Sequence, residues 1–442
     1  MSVLAYLSRQ SVRHGGAVDL FVSAPGPVDI RVAPLFDAAG PVFKRSGVSP
    51  PAAADPAPDA FATGFQWPVA ASITVGEDWP SGPYAVQITC GTDQFHCFLL
   101  VRTRAEERAR NLVVVNTNTW QAYNGFGGSS FYRYGTDVET QFGSPDKPRK
   151  GSKTLSFQRP DYTIDADIRR ALELLPTLDP LEISSGRSTK AGTRNPVEHL
   201  LLSEIFVWTW LRSVGVGFDL VTDHDLDGWR IPRSYKNVIL ACHPEYWSAD
   251  MFQNLCDWMR AGGNLISLAG NVIHRRIMFK GSATALRLVK HRVPPWGFMW
   301  SSFKGGPEGF PAIDAIRGDT VPAQIIGSRY NANGLNTYAP YQVTKPDHWA
   351  FKGLGVAAGA VFGERNFHGG GACGYETDAS CIGEDPVIAK GMNPNAGGGD
   401  IMAHAIGKSR IFSVGSVSFC GSLHHDPIVA GMTRNVLDAF GA

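Results

Sequence analysis

The sequence lacks an excess of charge of either sign. Its 442 residues include 41 Lys and Arg against 40 Asp and Glu, which gives a formal net charge of +1. Because nucleic acids and anionic membranes attract proteins through surplus basic side chains, this balance argues against both as partners. The chain also lacks an apolar run of about 18 residues, and its N-terminus lacks a basic segment followed by a hydrophobic one. We therefore expect a cytoplasmic protein without a membrane span.

Paired cysteines are missing as well. The seven cysteines are widely scattered, and none has the Cys-x-x-Cys spacing of a zinc knuckle. Their odd number and their spacing favour reduced thiols.

The composition is that of a globular protein. Hydrophobic residues make up 43% of the chain and charged residues 18%, which is too apolar for a disordered chain. At roughly 150 residues per domain, the length predicts two or three domains. The 49 Gly and 29 Pro indicate many turns and shaped loops instead of a helical bundle.

Residues 1–105 have the pattern of a β-sandwich. Short alternating segments, separated by turn residues, occur at 17–22, 28–32, 71–75 and 84–101. The proline-rich stretch 49–57 is predicted to be a surface loop. We interpret this region as an immunoglobulin-like domain that serves packing or interaction.

Residues 106–442 have a different pattern. Continuous apolar runs, typical of strands buried on both faces, occur at 111–116, 218–222, 238–242, 265–269 and 411–414. Helical periodicity occurs between them, at 197–214 and 249–261. Alternating strands and helices predict a doubly wound parallel α/β sheet, with its ligand site beyond the carboxyl ends of the strands.

Polar segments follow several of these strands. They are 117–132 after the first strand, 243–247 after NVILAC and 270–276 after NLISLA, and the glycine-rich loop 370–378 adds Glu376. His243 and Glu245 are two residues apart and would project to the same side of an extended backbone. This pair suits metal binding or acid/base chemistry, although such a pair also forms ordinary contacts with loop backbone.

Four short motifs resemble one family. WQAYN at 120–124, HPEYW at 243–247, GYE at 374–376 and SVGS at 413–416 are similar to segments of the large (beta) subunit of N,N-dimethylformamidase. The resemblance covers roughly residues 105–442. With it, we expect residues 106–442 to form a glutamine-amidotransferase-like catalytic domain.

The resemblance implies a mononuclear non-haem Fe(III) centre that hydrolyses small amides. It implies Tyr123 and Glu245 as ligands, and a second tyrosine between them, for which Tyr162 in RPDYTID is the best match. Two phenolates and a carboxylate are hard donors whose charge a ferric ion neutralises. A phenol ionises near neutral pH only beside a strong Lewis acid, so the ligand set itself favours Fe(III).

The expected mechanism assigns roles to three further groups. Glu376 would take a proton from the attacking water, while His243 and Asn271 would orient the substrate or stabilise the oxyanion. The expected substrate is a small neutral amide of the formamide or N-alkyl type, with ureas and carbamates left open. We expect a homo-oligomer, and a small partner subunit is compatible with the resemblance.

Three alternatives stay open. The first is a metal-independent cysteine hydrolase in which Cys242 is the nucleophile and His243 or His224 the base. The second is a non-catalytic ligand-binding module, because several aromatic residues, including Trp120, Tyr246 and Trp247, lie in predicted loops.

The third alternative is an iron site near the last strand. His404, His424 and His425 could combine with Asp400 or Asp426 as a site of two histidines and one carboxylate. Adjacent His424 and His425 point apart in an extended chain, which weakens this interpretation.

Overall fold

The chain is a mixed α/β protein in which sheets dominate and helices are few. A computed structural model describes residues 3–36, 40–132, 152–175, 200–282, 284–293, 297–300, 322–366 and 370–442, with 290–300 as backbone only. None of the helices in these ranges is a candidate for a membrane span.

The N-terminal region is built of strands. They are β1 (Leu4–Leu7), β2 (Ser11–Val12), β3 (Ala17–Ser23), β4 (Val28–Pro34), β5 (Phe43–Val48), β6 (Val69–Thr74), β7 (Gly82–Cys90) and β8 (Asp93–Val101), with the short helix α1 (Ala60–Thr63). They form the sheets β1-β3-β6 and β2-β8-β7-β4-β5, which share one hydrophobic core. Alternation explains the burial, since β3 turns Val18, Leu20 and Val22 inward. Residues 49–57 contain no strand, as predicted.

The strands after residue 106 follow. They are β9 (Asn111–Val115), β10 (Thr154–Ser156), β11 (Phe218–Thr222), β12 (Asn237–Cys242), β13 (Tyr246–Trp247), β14 (Asn264–Ala269), β15 (Arg275–Lys280), β16 (Ala285–Leu288), β17 (Lys290–Val293), β18 (Gly297–Trp300), β19 (Ser328–Asn331), β20 (Tyr338–Ala339), β21 (Tyr341–Val343), β22 (Val361–Phe362), β23 (Cys373–Gly374), β24 (Thr377–Ser380), β25 (Val387–Gly391), β26 (Asp400–Ile406) and β27 (Ser409–Ser413).

The helices of the same region are fewer. They are α2 (Thr117–Tyr123), α3 (Tyr162–Leu174), α4 (Leu201–Ser213), α5 (Ala249–Arg260), α6 (Pro322–Ile326) and α7 (Pro427–Phe440).

A nine-stranded sheet forms the centre of this region. Its order is β11-β9-β12-β14-β27-β26-β25-β21-β22. The first five strands are parallel and the remainder antiparallel. Along the chain the five parallel strands run second, first, third, fourth, fifth, so the order reverses between β9 and β12. Ligands of such sheets bind beyond the carboxyl ends of the strands at this switch point.

Helices cover both faces of the parallel strands. Val113 and Val115 of β9 share a core with α4 and α7, whereas Leu112 and Val114 share a different core with α5. Successive strand residues point to opposite faces, so a strand that is covered on both faces needs apolar side chains throughout. The continuous apolar run at 111–116 in the sequence indicated such a strand.

The two regions are packed together through buried side chains. Phe98 of β8 contacts the ring of Trp120 edge-on, with centroids 5.1 Å apart, and lies 6.4 Å from the ring of Trp208. In addition, Asp165 of α3 accepts a hydrogen bond from the His96 main chain at 2.8 Å. All seven cysteines lie in the described ranges and are free.

Candidate metal and active site

The polar residues predicted from the strand ends lie together at the switch point. Tyr123 ends α2, which directly follows β9, while His243 and Glu245 follow β12 and Asn271 follows β14. Glu376 lies in the turn between β23 and β24. Thr377, the first residue of β24, forms a β-bridge with Ser416, which lies in the segment after β27. The site is therefore assembled from loops far apart in sequence.

The backbone around the site is strained at three non-glycine residues. Cys242, Asn271 and Tyr375 have φ values of 58°, 52° and 63°. L-residues rarely adopt this left-handed region, and such strain concentrates at functional sites. Here it turns the chain sharply, directly before His243 and Glu376 and at Asn271 itself.

Gly270 permits the close approach of two loops. A Cβ atom there would lie 2.6 Å from the Glu376 carbonyl oxygen and 2.5 Å from the Val417 amide nitrogen. A side chain at position 270 would therefore push the Glu376 backbone away from Asn271.

His243, Glu245 and Glu376 form the centre of the site. His243 Nε2 lies 3.0 Å from Glu376 Oε2 and 3.4 Å from Glu245 Oε2. One ligand atom from each of the three residues lies within 4.8 Å of the others, so together they could hold a metal ion. Asn271 Nδ2 also donates a hydrogen bond to Glu376 Oε2, at 2.5 Å.

Phenols surround the Glu245 carboxylate. Tyr132 Oη donates to Glu245 Oε2 at 3.0 Å and shares a 2.5 Å hydrogen bond with Tyr246 Oη. The Tyr123 ring packs on the Tyr132 ring with centroids 4.4 Å apart, and it lies 5.8 Å from the His243 ring. Oxygen donors from several residues thus converge on one place.

Burial and the neighbouring carboxylates favour the neutral form of these phenols. Burial raises the pKa of Tyr123, Tyr132 and Tyr246 well above its usual value, and the negative charge of Glu245 raises it further. These phenols become tyrosinates only if a strong positive charge is placed beside them.

The charged groups of the site influence one another. Burial opposes protonation of His243, but the Glu376 and Glu245 carboxylates outweigh it and raise its pKa. Burial raises the pKa of Glu245, while His243 and Arg275 counteract this. Arg275 Nε lies 3.4 Å from Glu245 Oε1, while His243 Nε2 lies 3.4 Å from Glu245 Oε2.

This donor set fits a hard, highly charged metal ion. Buried carboxylates and phenols lie within contact distance of one another, an arrangement unfavourable for their anionic forms without a compensating cation. Hard oxygen donors of this kind prefer hard cations. The residues present therefore fit a hard metal ion, the class to which the ferric ion implied by the resemblance belongs.

Tyr162 lies elsewhere. Its ring packs against Phe126 and Phe95 at centroid distances of 5.2 and 5.9 Å, next to the core of the N-terminal sheets. The tyrosine that reaches Glu245 is Tyr132, nine residues after Tyr123 (132 − 123). Tyr132 ends the segment 117–132 already singled out at a strand end, so position along the chain was the signal that could have found it.

The structure disfavours a cysteine nucleophile. Cys242 is fully buried, and burial, together with neighbouring Cys420, raises its thiol pKa well above the usual value. Reactive cysteines are partly exposed and have lowered pKa values. The other candidate base, His224, is stacked between the rings of Phe157 and Phe279, at 4.7 and 4.5 Å.

The histidines near the last strand contact backbone. His404 and His424 each lie 3.0 Å from a main-chain carbonyl oxygen. Asp400 accepts a hydrogen bond from a main-chain N–H, and Asp426 caps α7. Among the His, Cys, Asp and Glu side chains of the described residues, these groups do not form a metal-binding cluster, whereas His243, Glu245 and Glu376 do.

The aromatic residues cited for a binding module are mainly core. Trp120, Tyr246 and Trp247 are at most 2% exposed. Buried rings of this kind pack the site instead of offering a stacking surface.

Fold and site together define an α/β protein with a buried acid/base centre, rich in oxygen donors, at the carboxyl ends of its parallel strands. Residues 37–433 match the family described as N,N-dimethylformamidase beta subunit-like, C-terminal, and the chain belongs to that family.

Two curated relatives are similar to part of the chain. They are the N,N-dimethylformamidase beta subunits of Alcaligenes sp. and Paracoccus aminophilus, each 26% identical over 294 residues. The match covers 54% of this chain and 37% of each relative, so this chain matches little more than a third of their length.

Among solved structures, a cytoplasmic protein from Salmonella typhimurium is 12% identical, with 53% of this chain and 85% of that chain covered. The TM-score of this match is 0.31.

Proposed function

We propose that this protein hydrolyses the C–N bond of a small amide at a mononuclear Fe(III) centre. The observation that carries the proposal is the convergence of His243, Glu245 and Glu376 with the Tyr132 phenol hydrogen-bonded to Glu245. Family membership supports the same reaction, because the curated relatives are named as subunits of a dimethylformamidase.

Tyr123, Tyr132 and Glu245 are the residues that would hold the ion. Their two phenols and one carboxylate supply up to three negative charges, which match a ferric ion better than a divalent one. When bound, such an ion supplies Lewis acidity, which polarises a carbonyl group or lowers the pKa of a water molecule.

Glu376 is the proposed general base. His243 and Asn271 both contact its Oε2 atom, so among the described contacts Oε1 remains for proton transfer. Glu376 takes one proton from the attacking water and delivers it to the departing nitrogen, so the proton count balances. His243 and Asn271 hold this carboxylate, and they would also stabilise the oxygen that becomes negative in the tetrahedral intermediate.

The proposed substrate is a small neutral amide of the formamide or N-alkyl type. A second polypeptide and self-association are proposed too, since the relatives are named as subunits. We further propose that residues 1–105 and 106–442 are separate domains, the first immunoglobulin-like and the second glutamine-amidotransferase-like.

Metal analysis combined with turnover tests the proposal. The purified chain, loaded with Fe(III) or Zn²⁺ in parallel, is assayed against a panel of small amides, ureas and carbamates. We expect turnover of an amide with iron and a visible tyrosinate-to-iron absorption band. Equal turnover in the metal-free protein would refute the iron centre, and ligand binding without turnover would favour a binding module.

A further inference from the structure

The loop between Tyr123 and Tyr132 surrounds a buried guanidinium group. Arg159 precedes α3 and is only 2% exposed. Its Nη1 donates to the carbonyl oxygens of Phe126 and Ser129 at 2.7 and 3.0 Å. The loop therefore wraps around one cation.

The same group holds the end of α2. Arg159 Nη2 donates to the Asn124 carbonyl oxygen at 2.9 Å, and to the main-chain and side-chain oxygens of Gln121 at 3.2 and 2.8 Å. Arg159 Nε reaches the Gln121 side chain and the Ser156 carbonyl oxygen, at 3.0 and 3.1 Å. One side chain thus connects the helix that ends at Tyr123 with the loop that leads to Tyr132.

Within the described part of the chain, Arg159 donates its hydrogen bonds to uncharged oxygens. A buried charge is tolerated only if it is well hydrogen-bonded, and here carbonyl and amide oxygens provide the bonds. The positions of these oxygens and of the guanidinium group consequently depend on each other. Lysine cannot make the same hydrogen bonds as Arg159, because a single ammonium group lacks the planar fork that spans several acceptors.

The neighbours of Arg159 act on the same loop. The Asn124 side chain donates to the Pro160 carbonyl oxygen at 3.0 Å, and the Phe126 ring packs on Tyr162. The segment RPDY thus contacts the loop at its start and near its apex. This gives Tyr162 a structural role next to the loop.

We propose that Arg159 is a positioning residue that fixes the loop from Asn124 to Phe131 and thereby sets the separation of the Tyr123 and Tyr132 phenols. The expected effect on metal binding rests on the proposed function, whereas the expected effect on the loop does not depend on any metal. Displacement of about 1 Å is enough to impair a preorganised site.

Hydrogen exchange on the metal-free chain tests the structural half. The variants are Arg159→Lys and Arg159→Gln, and the control is Arg169→Gln, which removes an equal charge from a half-exposed arginine of α3. We expect exchange of the peptide 121–132, where the Phe131 amide donates to the Ala122 carbonyl, to accelerate about tenfold or more in both Arg159 variants. The exchange rate of the peptide 237–242 should match the wild type in the Arg159 variants. In the control Arg169→Gln, both peptides should exchange at the wild-type rate. Unchanged exchange of 121–132 in both variants would overturn the proposal.

Ferric titration followed by visible absorption tests the consequence. We expect Arg159→Lys to bind Fe(III) about tenfold or more weakly, with a shifted tyrosinate band, while Arg169→Gln matches the wild type. Wild-type affinity and band position in Arg159→Lys would refute the positioning role. If the wild-type protein binds no iron, the proposed function fails, and the exchange experiment still decides on Arg159.

Gln121→Leu keeps the experiment decisive if the Arg159 variants do not fold. It removes the side-chain acceptor that Arg159 Nε and Nη2 share with the Asn124 side-chain amide, and it leaves the main-chain acceptors of Arg159 in place. We expect the same faster exchange of 121–132 with a smaller amplitude. No acceleration would count against the proposal.

Discussion

At the scale of single residues, the site depends on how Glu376 is held. Its Oε2 atom contacts both the Asn271 amide and the His243 imidazole, at 2.5 and 3.0 Å. Its side chain is 13% exposed, whereas that of Glu245 is 3% exposed. This greater exposure supports the proposed role of Glu376, which is to exchange protons with water.

Glu376→Gln should lower turnover about 100-fold or more, the usual contribution of a general base. Iron content should not change, because the proposed ligands remain. Steady-state kinetics and metal analysis measure both quantities, with the exposed Glu384→Gln as the control. Undiminished turnover would remove Glu376 from the mechanism.

The residues of the site were predictable to different degrees. His243, Glu245, Asn271 and Glu376 could be singled out because each follows a strand end or stands in a glycine-rich turn, and the structure brings them together. For the second tyrosine, position at a strand end brings Tyr132 into consideration, but spacing alone does not show which phenol a loop turns toward Glu245.

At the scale of elements, α2 determines where Tyr123 lies, and two buried acidic side chains hold this helix. Asp223 accepts hydrogen bonds from the Thr117 hydroxyl at 2.6 Å and from the Asn118 amide. Glu204 accepts from the Trp120 indole at 2.7 Å. Acceptors at the first turn satisfy amide groups that have no partner within the helix.

Asp223→Asn should weaken the pH dependence of stability. Burial raises the pKa of Asp223 to about 8, whereas an unfolded aspartate titrates near about 3.9. Its contribution is therefore fully present below about pH 4 and is lost as the pH rises toward 8, at up to about 1.4 kcal/mol per pH unit. Urea unfolding at pH 5 and pH 8 should show that the free energy of unfolding falls less with rising pH in the variant than in the wild type. An equal loss in both proteins would contradict the assignment.

Gly270→Ala should displace the turn that carries Glu376. The added Cβ would lie 2.6 Å from the Glu376 carbonyl oxygen, and such overpacking costs about 1–3 kcal/mol. Turnover should fall while iron remains bound. The control is Gly217→Ala, whose Cβ meets its nearest atom, in Ala109, at 3.8 Å. Equal activity of the two variants would argue against the close approach.

Five of the nine strands of the central sheet were predictable from continuous apolar runs in the sequence. The runs at 111–116 and 218–222 became β9 and β11 within one residue, because strands buried on both faces must be apolar throughout. The antiparallel half of the sheet was not predicted. Its short strands, such as β21 and β22, gain their register from neighbours distant in sequence.

At the scale of the whole molecule, the N-terminal sheets support the site. Phe98 of β8 packs on Trp120, three residues before Tyr123 on α2 (123 − 120). Phe65 of the N-terminal region packs on Phe126, in the loop that leads to Tyr132, with ring centroids 5.1 Å apart. The first 105 residues therefore contribute to the position of both phenols.

Phe98→Ala should destabilise the whole protein by about 3–5 kcal/mol, the usual cost of removing a buried phenyl ring. It should also weaken iron binding, since α2 loses its packing partner. Urea unfolding followed by tryptophan fluorescence measures stability, with the partly exposed Phe43→Ala as control. Loss of stability with unchanged iron affinity would show that packing of the N-terminal sheets does not affect iron binding at the site.

The central claim is that a ferric ion binds between Tyr123, Tyr132 and Glu245. Visible absorption of the Fe(III)-loaded wild type, Tyr132→Phe and Tyr162→Phe tests it most directly. We predict a tyrosinate charge-transfer band and about one iron per chain in the wild type and in Tyr162→Phe, and a strongly weakened band in Tyr132→Phe. A colourless wild type, or a Tyr132→Phe spectrum identical to that of the wild type, would contradict the claim.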